Sequence, residues 1–199
     1  MTARSYLYVP GDQPDKLAKA VGRGADAIIV DLEDAVAFTS KATARRITCE
    51  WLSTQAEAGP EIWVRINNHE DLMADDINAV VGEGLTGLCI PKADGPDAID
   101  TVAQLVSAAA AHQDPGIGSI KLGALIETAR GLQAVDRIAA HRGLTKLAIG
   151  EAELGAELGI RASPDEHEWW AIRSQVLIAC AAAGIKPPRR ARIRRLSRS

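Results

Sequence analysis

The sequence predicts an α/β fold built around a parallel sheet, and three observations support this prediction. Short apolar runs recur along the 199 residues with little alternation of polar and apolar side chains, which is typical of strands buried on both faces. Longer segments with helical start signals separate these runs. Polar side chains directly follow most of the runs, at the strand ends where parallel α/β folds carry their chemistry.

Six strands are predicted, each of them brief and dominated by apolar side chains. They cover residues 6–9, 27–30, 62–66, 88–90, 122–126 and 147–149. Their composition, rich in Val, Ile and Leu, suits strands in the interior of a sheet rather than half-exposed strands.

Helical signals fill the intervals between the strands. Proline marks three predicted starts, at Pro14, Pro96 and Pro164, because its fixed φ and missing N–H suit the first turn of a helix. The first predicted helix begins at Pro14, and the others cover 40–55, 96–111, 128–140 and 163–183.

The alternation gives six β/α units, and two architectures remain possible. One is an open doubly wound sheet. The other is a (β/α)8 TIM-type barrel, which typically needs about 250 residues. Six units are two short of a closed barrel, so a barrel reading implies an incomplete one.

Charge is distributed unevenly along the chain. The whole sequence holds 23 basic and 26 acidic residues, but segment 189–199 holds six arginines and no acid. The rest therefore has 17 basic against 26 acidic residues, a net charge of −9. An acidic body is a poor surface for nucleic acid, so no nucleic-acid partner is expected.

The cysteines and the hydropathy of the sequence indicate the compartment of the protein and whether it spans a membrane. The three cysteines, Cys49, Cys89 and Cys180, are far apart and form no C-x-x-C motif, which argues against a disulfide scaffold and for a reducing compartment. No apolar run approaches the roughly 18 residues of a membrane span. The sequence thus predicts a cytoplasmic protein with no membrane partner.

The polar residues at the strand ends suggest a metal-assisted site. Glu127 and Glu153 follow consecutive predicted strands, and two neighbouring carboxylates repel each other unless a cation lies between them. Carboxylate oxygens at an open site suit Mg²⁺. Arg65 ends another strand and has the planar fork that binds a substrate carboxylate. A structural alternative remains for each acid, which could be a helix cap or half of an ion pair.

Six short motifs together resemble the HpcH/HpaI aldolase family, and its citrate lyase β-subunit-like, or CoA-ester lyase, branch in particular. The resemblance covers about residues 4–188. The motifs are Tyr8-Val9-Pro10-Gly11, Asp31-Leu32-Glu33-Asp34-Ala35-Val36, Lys41 with Ala44-Arg45, Arg65-Ile66-Asn67, Pro91-Lys92 and Glu127-Thr128-Ala129-Arg130-Gly131.

The resemblance implies a TIM barrel and a Mg²⁺-dependent carbon–carbon lyase acting on a hydroxyacyl-CoA thioester of the citryl- or malyl-CoA type. It implies that Glu127 is a metal ligand and catalytic, and that Arg65 is catalytic and binds the substrate carboxylate. The remaining implied substrate-binding residues are Tyr8, Lys19 and Lys41. Chemically, Mg²⁺ and a guanidinium would stabilise the enolate that such a cleavage forms.

Two features depart from the family pattern. Glu153 stands where the second metal ligand is normally an aspartate, and Mg²⁺ has strict geometric demands; Glu151 is an alternative donor. The expected domain covers residues 1–188, and residues 189–199 are expected to be a non-homologous, disordered basic tail. On this reading the last two β/α units are missing.

Three functions therefore remain open. The first is the CoA-ester lyase, or a related thioesterase or synthase. The second is a 2-oxo-acid aldolase of the same superfamily, acting on free hydroxy or oxo acids. The third is a truncated, inactive homologue with a binding role only. The resemblance also implies a homo-oligomer, a trimer or hexamer.

Overall fold

The computed structural model describes residues 3–55, 59–111 and 119–185. Within these residues it confirms the predicted class, an α/β fold of six β/α units with parallel strands. The predicted basic tail, 189–199, lies outside the described residues.

The six strands follow one another in sequence order in one sheet. The strands are β1 (Tyr6–Pro10), β2 (Ala27–Asp31), β3 (Glu61–Arg65), β4 (Gly87–Ile90), β5 (Lys121–Ile126) and β6 (Leu144–Ile149). All six predicted strands are present, and β6 begins earlier than expected. Every residue of β2 is buried, as its unbroken apolar run predicts.

Helices connect the strands. They are α1 (Pro14–Ala20), α2 (Lys41–Leu52), α3 (Glu70–Val80), α4 (Pro96–Ala110), α5 (Ala129–Gln133), α6 (Val135–Ala139), α7 (Glu151–Leu158) and α8 (Trp170–Ala182). Among the described helices, none combines the length and apolar character that a membrane crossing needs.

The chain divides into two compact units. The described part of the first comprises 3–55, 59–88, 105–111 and 119–120, and that of the second comprises 89–104 and 121–185. In the first unit, β1, β2 and β3 pair in parallel register, which places Pro10 opposite Asp31 and Asp31 opposite Arg65. In the second, β5 and β6 pair in parallel with Ile126 opposite Ile149. In both units, the carboxyl ends of paired strands therefore lie side by side.

Helices α2 and α3 of the first unit each bury one face. The buried face of α2 carries Ala44, Thr48 and Leu52, which are spaced by four residues. That of α3 carries Met73, Asp76, Ile77 and Val80. Both spacings place the residues on a single stripe of a helix. Asp76 is thus a charged residue in a core position, and the sequence analysis did not single it out.

Two predicted helices differ from the observed ones. The segment 128–140 forms two short helices, because Ala134 between them has non-helical dihedral angles (φ −94°, ψ 3°). The helix predicted from Ser163 begins only at Trp170. Glu166 has a positive φ of 54°, and a residue in this left-handed region cannot continue a helix from Ser163. Helices α3 and α7 were not specified by the sequence analysis.

Candidate active site

Arg65 lies at the end of β3 and is held by an aspartate at the end of the neighbouring strand. Its Nε donates to Asp31 Oδ1 at 2.9 Å and its Nη2 to Asp31 Oδ2 at 2.6 Å. Both side chains are almost fully buried, at 10% and 3% exposure. The parallel register places the two residues opposite each other, so the bidentate pair follows directly from the strand pairing.

Two further carboxylates contact the same guanidinium. Arg65 Nη1 lies 3.1 Å from Glu33 Oε2 and 3.3 Å from Asp34 Oδ2. Burial by itself would lower the pKa of Arg65, but the hydrogen bond and charge of Asp31, followed by the charge of Glu33, outweigh it and raise the pKa. Arg65 is therefore permanently charged. Its guanidinium carbon also lies 5.6 Å from the centre of the Tyr8 ring.

The segment Asp31–Asp34, which we call the acidic turn, is shaped by its own first residue. Asp31 Oδ1 accepts a hydrogen bond from the backbone N–H of Glu33 at 2.9 Å, and Oδ2 accepts one from that of Ala35 at 3.2 Å. An aspartate folding back onto following amides is a standard way to fix a turn. The same carboxylate thus shapes the turn and orients Arg65.

Lys41, the first residue of α2, binds two backbone carbonyls of the acidic turn. Its Nζ donates to the carbonyl oxygens of Leu32 at 2.7 Å and Glu33 at 2.6 Å. Burial lowers the pKa of Lys41, and the nearby charges of Asp31, Glu33, Asp76 and Asp34 only partly offset this effect. The ammonium group is thus a partly buried cation whose charge depends on these carboxylates.

A buried polar network built on Asp76 contacts the acidic turn through Asn67. Asp76 is completely buried. Its Oδ1 accepts from Arg45 Nε at 2.9 Å, and its Oδ2 accepts from the backbone N–H and the side-chain Nδ2 of Asn67 at 2.8 and 2.7 Å. Asn67 Nδ2 also donates to the Leu32 carbonyl at 3.0 Å. The position of Asp76 in the apolar stripe of α3 is the sequence signal that points to this network.

In the second unit, Glu127 follows β5 and is buried, at 3% exposure. Its Oε2 accepts a hydrogen bond from the backbone N–H of Lys92 at 3.0 Å. Lys92 has a positive φ of 48°, an uncommon conformation for a residue with a side chain. The turn after β4 therefore holds strain at the point where it donates to the carboxylate.

Gly150 leaves room for the Glu127 side chain. Its backbone N–H donates to the Ile126 carbonyl at 2.9 Å. A Cβ atom at position 150 would lie 2.3 Å from Glu127 Cγ and 2.6 Å from Oε1. Glycine is thus required by close approach rather than by a special φ.

The neighbouring residues lock the ends of β4 and β5 together. The side chains of Thr128 and Asp94 are joined by a short hydrogen bond, and Ala93 N–H donates to the Leu125 carbonyl at 3.2 Å. Thr128 is also the N-cap of α5, since its hydroxyl accepts from Gly131 N–H at 2.9 Å.

Glu153 lies in the first turn of α7, three residues after Gly150. It is half-buried, and no hydrogen bond or ion pair joins it to another described residue. Glu151 behaves differently, because its Oε1 accepts from Arg173 Nε at 2.7 Å. Of the two predicted donors on α7, Glu151 is therefore engaged by an arginine and Glu153 is available.

Five of the predicted residues fall into two sets, one in each unit. In the first unit, Arg65 and Lys41 bond to the acidic turn and Tyr8 lies beside Arg65. In the second, the Glu127 side chain lies against Gly150, the residue before the helix turn that bears Glu153. Lys19 is exposed on α1, and no contact joins it to Arg65 or Lys41. A common site for Arg65, Glu127 and Glu153 stays a prediction.

The carboxylates suit magnesium by their chemistry. Within 3–55, 59–111 and 119–185 no three His, Cys, Asp or Glu side chains are clustered as metal ligands. Mg²⁺ is commonly held by only one or two carboxylates and completed by water and substrate oxygens. A buried Glu127, and Glu153 in the helix turn that follows Gly150, supply carboxylates of the kind that fits this ion.

Most of the chain also matches a known family. Residues 4–187 match HpcH/HpaI aldolase/citrate lyase. The chain belongs to this family. Since the match spans both units, it includes the acidic turn, Arg65 and Glu127.

Two similar proteins are a thioesterase named for a CoA ester and a subunit of citrate lyase. The chain is 36% identical over 183 residues to a (3S)-malyl-CoA thioesterase of Cereibacter sphaeroides, which covers 92% of the chain and 60% of that relative. It is 30% identical over 184 residues to the citrate lyase subunit beta of Leuconostoc mesenteroides, covering 92% of the chain and 61% of the relative. The chain thus spans about three fifths of the length of these relatives.

Solved structures show the same fold. The citrate lyase beta subunit from Mycobacterium tuberculosis, complexed with oxaloacetate and magnesium, superimposes with a TM-score of 0.73 at 30% identity, covering 92% of this chain and 76% of that one. The CitE protein of the same organism, in complex with magnesium, acetoacetate and coenzyme A, gives a TM-score of 0.73 at 29% identity, with 92% and 63% coverage. The family resemblance predicted from the six motifs is confirmed.

Proposed function

We propose that this protein cleaves a carbon–carbon bond in a hydroxyacyl-CoA thioester, with Mg²⁺ as its cofactor. The observation that carries the proposal is the buried carboxylate of Glu127 at the end of β5, which is held by a strained backbone amide. The names of the relatives, and the magnesium, oxaloacetate and coenzyme A bound in the solved structures, support it.

Glu127 and Glu153 would hold the ion. Mg²⁺, when bound, supplies a Lewis acid that polarises a carbonyl oxygen and stabilises an enolate. Glu127 is fixed by the Lys92 N–H and by the space at Gly150. Glu153 is half-buried, and its side chain would reach the ion by a change of rotamer. One methylene more than the aspartate of the family pattern changes the reach of this ligand, and with it the expected affinity.

Arg65 would bind the carboxylate of the acyl group. Of its three acidic partners, Asp31 makes a bidentate contact at 2.9 and 2.6 Å, whereas Asp34 lies at 3.3 Å and is 43% exposed. A substrate carboxylate would therefore replace Asp34 at Nη1, while Asp31 keeps the guanidinium in place. The charge of Lys41 helps to offset the three carboxylates and so favours an incoming anion.

The reaction itself balances without a redox partner. In citryl-CoA the bond between the thioester α-carbon and the hydroxyl-bearing carbon breaks, and the hydroxyl proton is taken up by a base as that carbon becomes a ketone. The electron pair passes to the thioester enolate, which is then protonated. The products are acetyl-CoA and oxaloacetate.

A second candidate is hydrolysis of the thioester. It is favoured by the similarity to the (3S)-malyl-CoA thioesterase. The two reactions give different products, since lysis of malyl-CoA releases glyoxylate and acetyl-CoA whereas hydrolysis releases malate and free CoA.

The deciding experiment incubates the protein with citryl-CoA, malyl-CoA and free hydroxy-oxo acids, with Mg²⁺ or with EDTA. Separate assays measure the 2-oxo acid product and free CoA. Magnesium-dependent release of a 2-oxo acid and acetyl-CoA from a thioester supports the lyase. Release of CoA alone supports the thioesterase, and cleavage of free acids alone supports an aldolase.

A further inference from the structure

We propose that Asp76 is a positioning residue, which acts through Asn67 and the Leu32 carbonyl to fix the ammonium group of Lys41 at the acidic turn. This inference rests on the proposed function only in giving Lys41 a role with substrate. The contacts that carry it all lie within the first unit and involve groups that touch no assigned metal ligand.

Asp76 is a buried carboxylate whose oxygens are hydrogen-bonded. It is completely buried, yet it accepts three hydrogen bonds, one from Arg45 and two from Asn67. A buried carboxylate is stable as an anion when it is paired and fully hydrogen-bonded. Arg45 Nη1 also contacts the exposed Asp75 at 3.1 Å, so the arginine is shared by two acids of very different burial.

Asp76 sets the orientation of Asn67. An ionised carboxylate only accepts hydrogen bonds, so Asp76 requires the NH₂ group of Asn67 to face it. The second hydrogen of that NH₂ then points to the Leu32 carbonyl at 3.0 Å. With an asparagine at position 76 the side-chain amide of Asn67 could turn over, and its oxygen would then repel the carbonyl.

Asn67 and Lys41 donate to the same acceptor. The carbonyl oxygen of Leu32 receives both Asn67 Nδ2 and Lys41 Nζ, and Lys41 makes its other contact with the next carbonyl, that of Glu33. Fixing the Leu32 carbonyl therefore fixes one of the two carbonyl oxygens that hold the ammonium group. Nothing in this arrangement requires Asp76 to touch Lys41 itself.

The charges around Lys41 also connect it to Asp76. The acidic turn contributes Asp31, Glu33 and Asp34, and α3 contributes Asp76, all of which raise the pKa of Lys41 against the larger lowering by burial. Two arginines of the same unit contact these acids, Arg65 those of the acidic turn and Arg45 the Asp76 carboxylate. Removing the charge of Asp76 should therefore lower the pKa of Lys41 further.

The test is an NMR titration of the lysine side chains, with Lys41 assigned by loss of its signal in Lys41→Arg. Wild type is compared with Asp76→Asn and with the matched control Asp75→Asn, which removes the same charge from the same helix and from the same arginine. We expect Asp76→Asn to lower the pKa of Lys41 and Asp75→Asn to leave it unchanged.

Equal shifts in both variants, or no shift in a folded Asp76→Asn protein, would overturn the proposal. If Asp76→Asn does not fold, the double variant Arg45→Gln/Asp76→Asn removes the guanidinium that has lost its buried partner and permits the same titration, with Arg45→Gln/Asp75→Asn as its control. The titration needs no substrate. Failure of the thioester assays would therefore count against the proposed function and leave this readout intact.

Kinetics add a readout that a loss of stability would not produce. With a thioester that wild type cleaves, Asp76→Asn is expected to raise KM more than it lowers kcat, because the substrate contact of Lys41 weakens. A fall in kcat at unchanged KM would contradict the assignment.

Discussion

Arg65 and Asp31 face each other from the ends of two paired strands and are joined by hydrogen bonds of 2.9 and 2.6 Å between buried side chains. The strand register creates this pair, and the pair in turn shapes the acidic turn, because Asp31 also accepts from the amides of Glu33 and Ala35. One carboxylate thus links the sheet to the candidate site.

Removing this carboxylate should be costly. Asp31→Ala is expected to reduce the free energy of unfolding by about 3–5 kcal/mol, since it leaves a buried guanidinium without its bidentate partner. The measurement is urea unfolding followed by circular dichroism. Asp34→Ala is the control, because Asp34 is 43% exposed and contacts Arg65 at 3.3 Å; its loss should cost at most about 1 kcal/mol. Similar losses in both variants would argue against the central role of Asp31.

The space at Gly150 should matter for metal binding. In Gly150→Ala the new Cβ would lie 2.3 Å from Glu127 Cγ, so the carboxylate must move. We expect a loss of about 1–3 kcal/mol in stability from overpacking and weaker Mg²⁺ binding, measured by isothermal titration calorimetry. Gly95→Ala is the matched control in the same unit, where a Cβ would meet nothing within 4 Å. Unchanged Mg²⁺ affinity in a folded Gly150→Ala protein would contradict the assignment of Glu127.

Strain at Lys92 can be measured separately from the loss of its side chain. Lys92→Gly and Lys92→Ala both remove the side chain, but only glycine adopts a φ of 48° without a steric penalty. The glycine variant should therefore be more stable than the alanine variant by about 1 kcal/mol, as judged by chemical unfolding. Both keep the N–H that donates to Glu127. Equal stability of the two variants would show that the turn is not strained.

Acid should release the start of β1 before the fold is lost. Asp26 Oδ2 accepts from the amides of Arg4 and Ser5 at 2.8 and 2.9 Å and from the Ser5 hydroxyl at 3.0 Å. The bond from the Arg4 amide, followed by that from the Ser5 hydroxyl, lowers the pKa of Asp26. A depressed carboxyl pKa stabilises the fold above the ordinary pKa of about 3.9 and loses this effect as pH falls through the lower value.

The amide NMR signal of Ser5 reports this step. In wild type it should titrate below about pH 3.9, and in Asp26→Asn the titration should be absent. A Ser5 signal that titrates equally in both proteins would assign the transition to another group.

The sequence predicted the strands well because each one is a buried apolar run, and a buried parallel strand needs little else. It also predicted the polar strand ends, since the topology alone brings the last residues of neighbouring strands together. The pairing of Arg65 with Asp31 was not foreseen, because it depends on register, which a single sequence does not specify.

Helix signals in the sequence were least informative where a side-chain contact formed several residues away decides the local structure. Proline and acids after Ser163 are typical of a helix start, yet the Glu168 carboxylate accepts from the Ser163 amide and hydroxyl and the helix begins only at Trp170. Asp76 was missed because acids on helices are usually exposed. Its spacing with Met73, Ile77 and Val80 was visible, but its partner Asn67 lies nine residues earlier in the chain.

The proposed function depends above all on Glu127, which would support Mg²⁺-dependent cleavage of a CoA thioester. The most direct measurement compares wild type with Glu127→Gln, a substitution that keeps the shape of the side chain and removes its charge, in the same thioester assay with Mg²⁺ and with EDTA. We predict magnesium-dependent turnover in wild type and its loss in Glu127→Gln, with the fold retained by circular dichroism. Equal magnesium-dependent turnover in the two proteins would contradict the account.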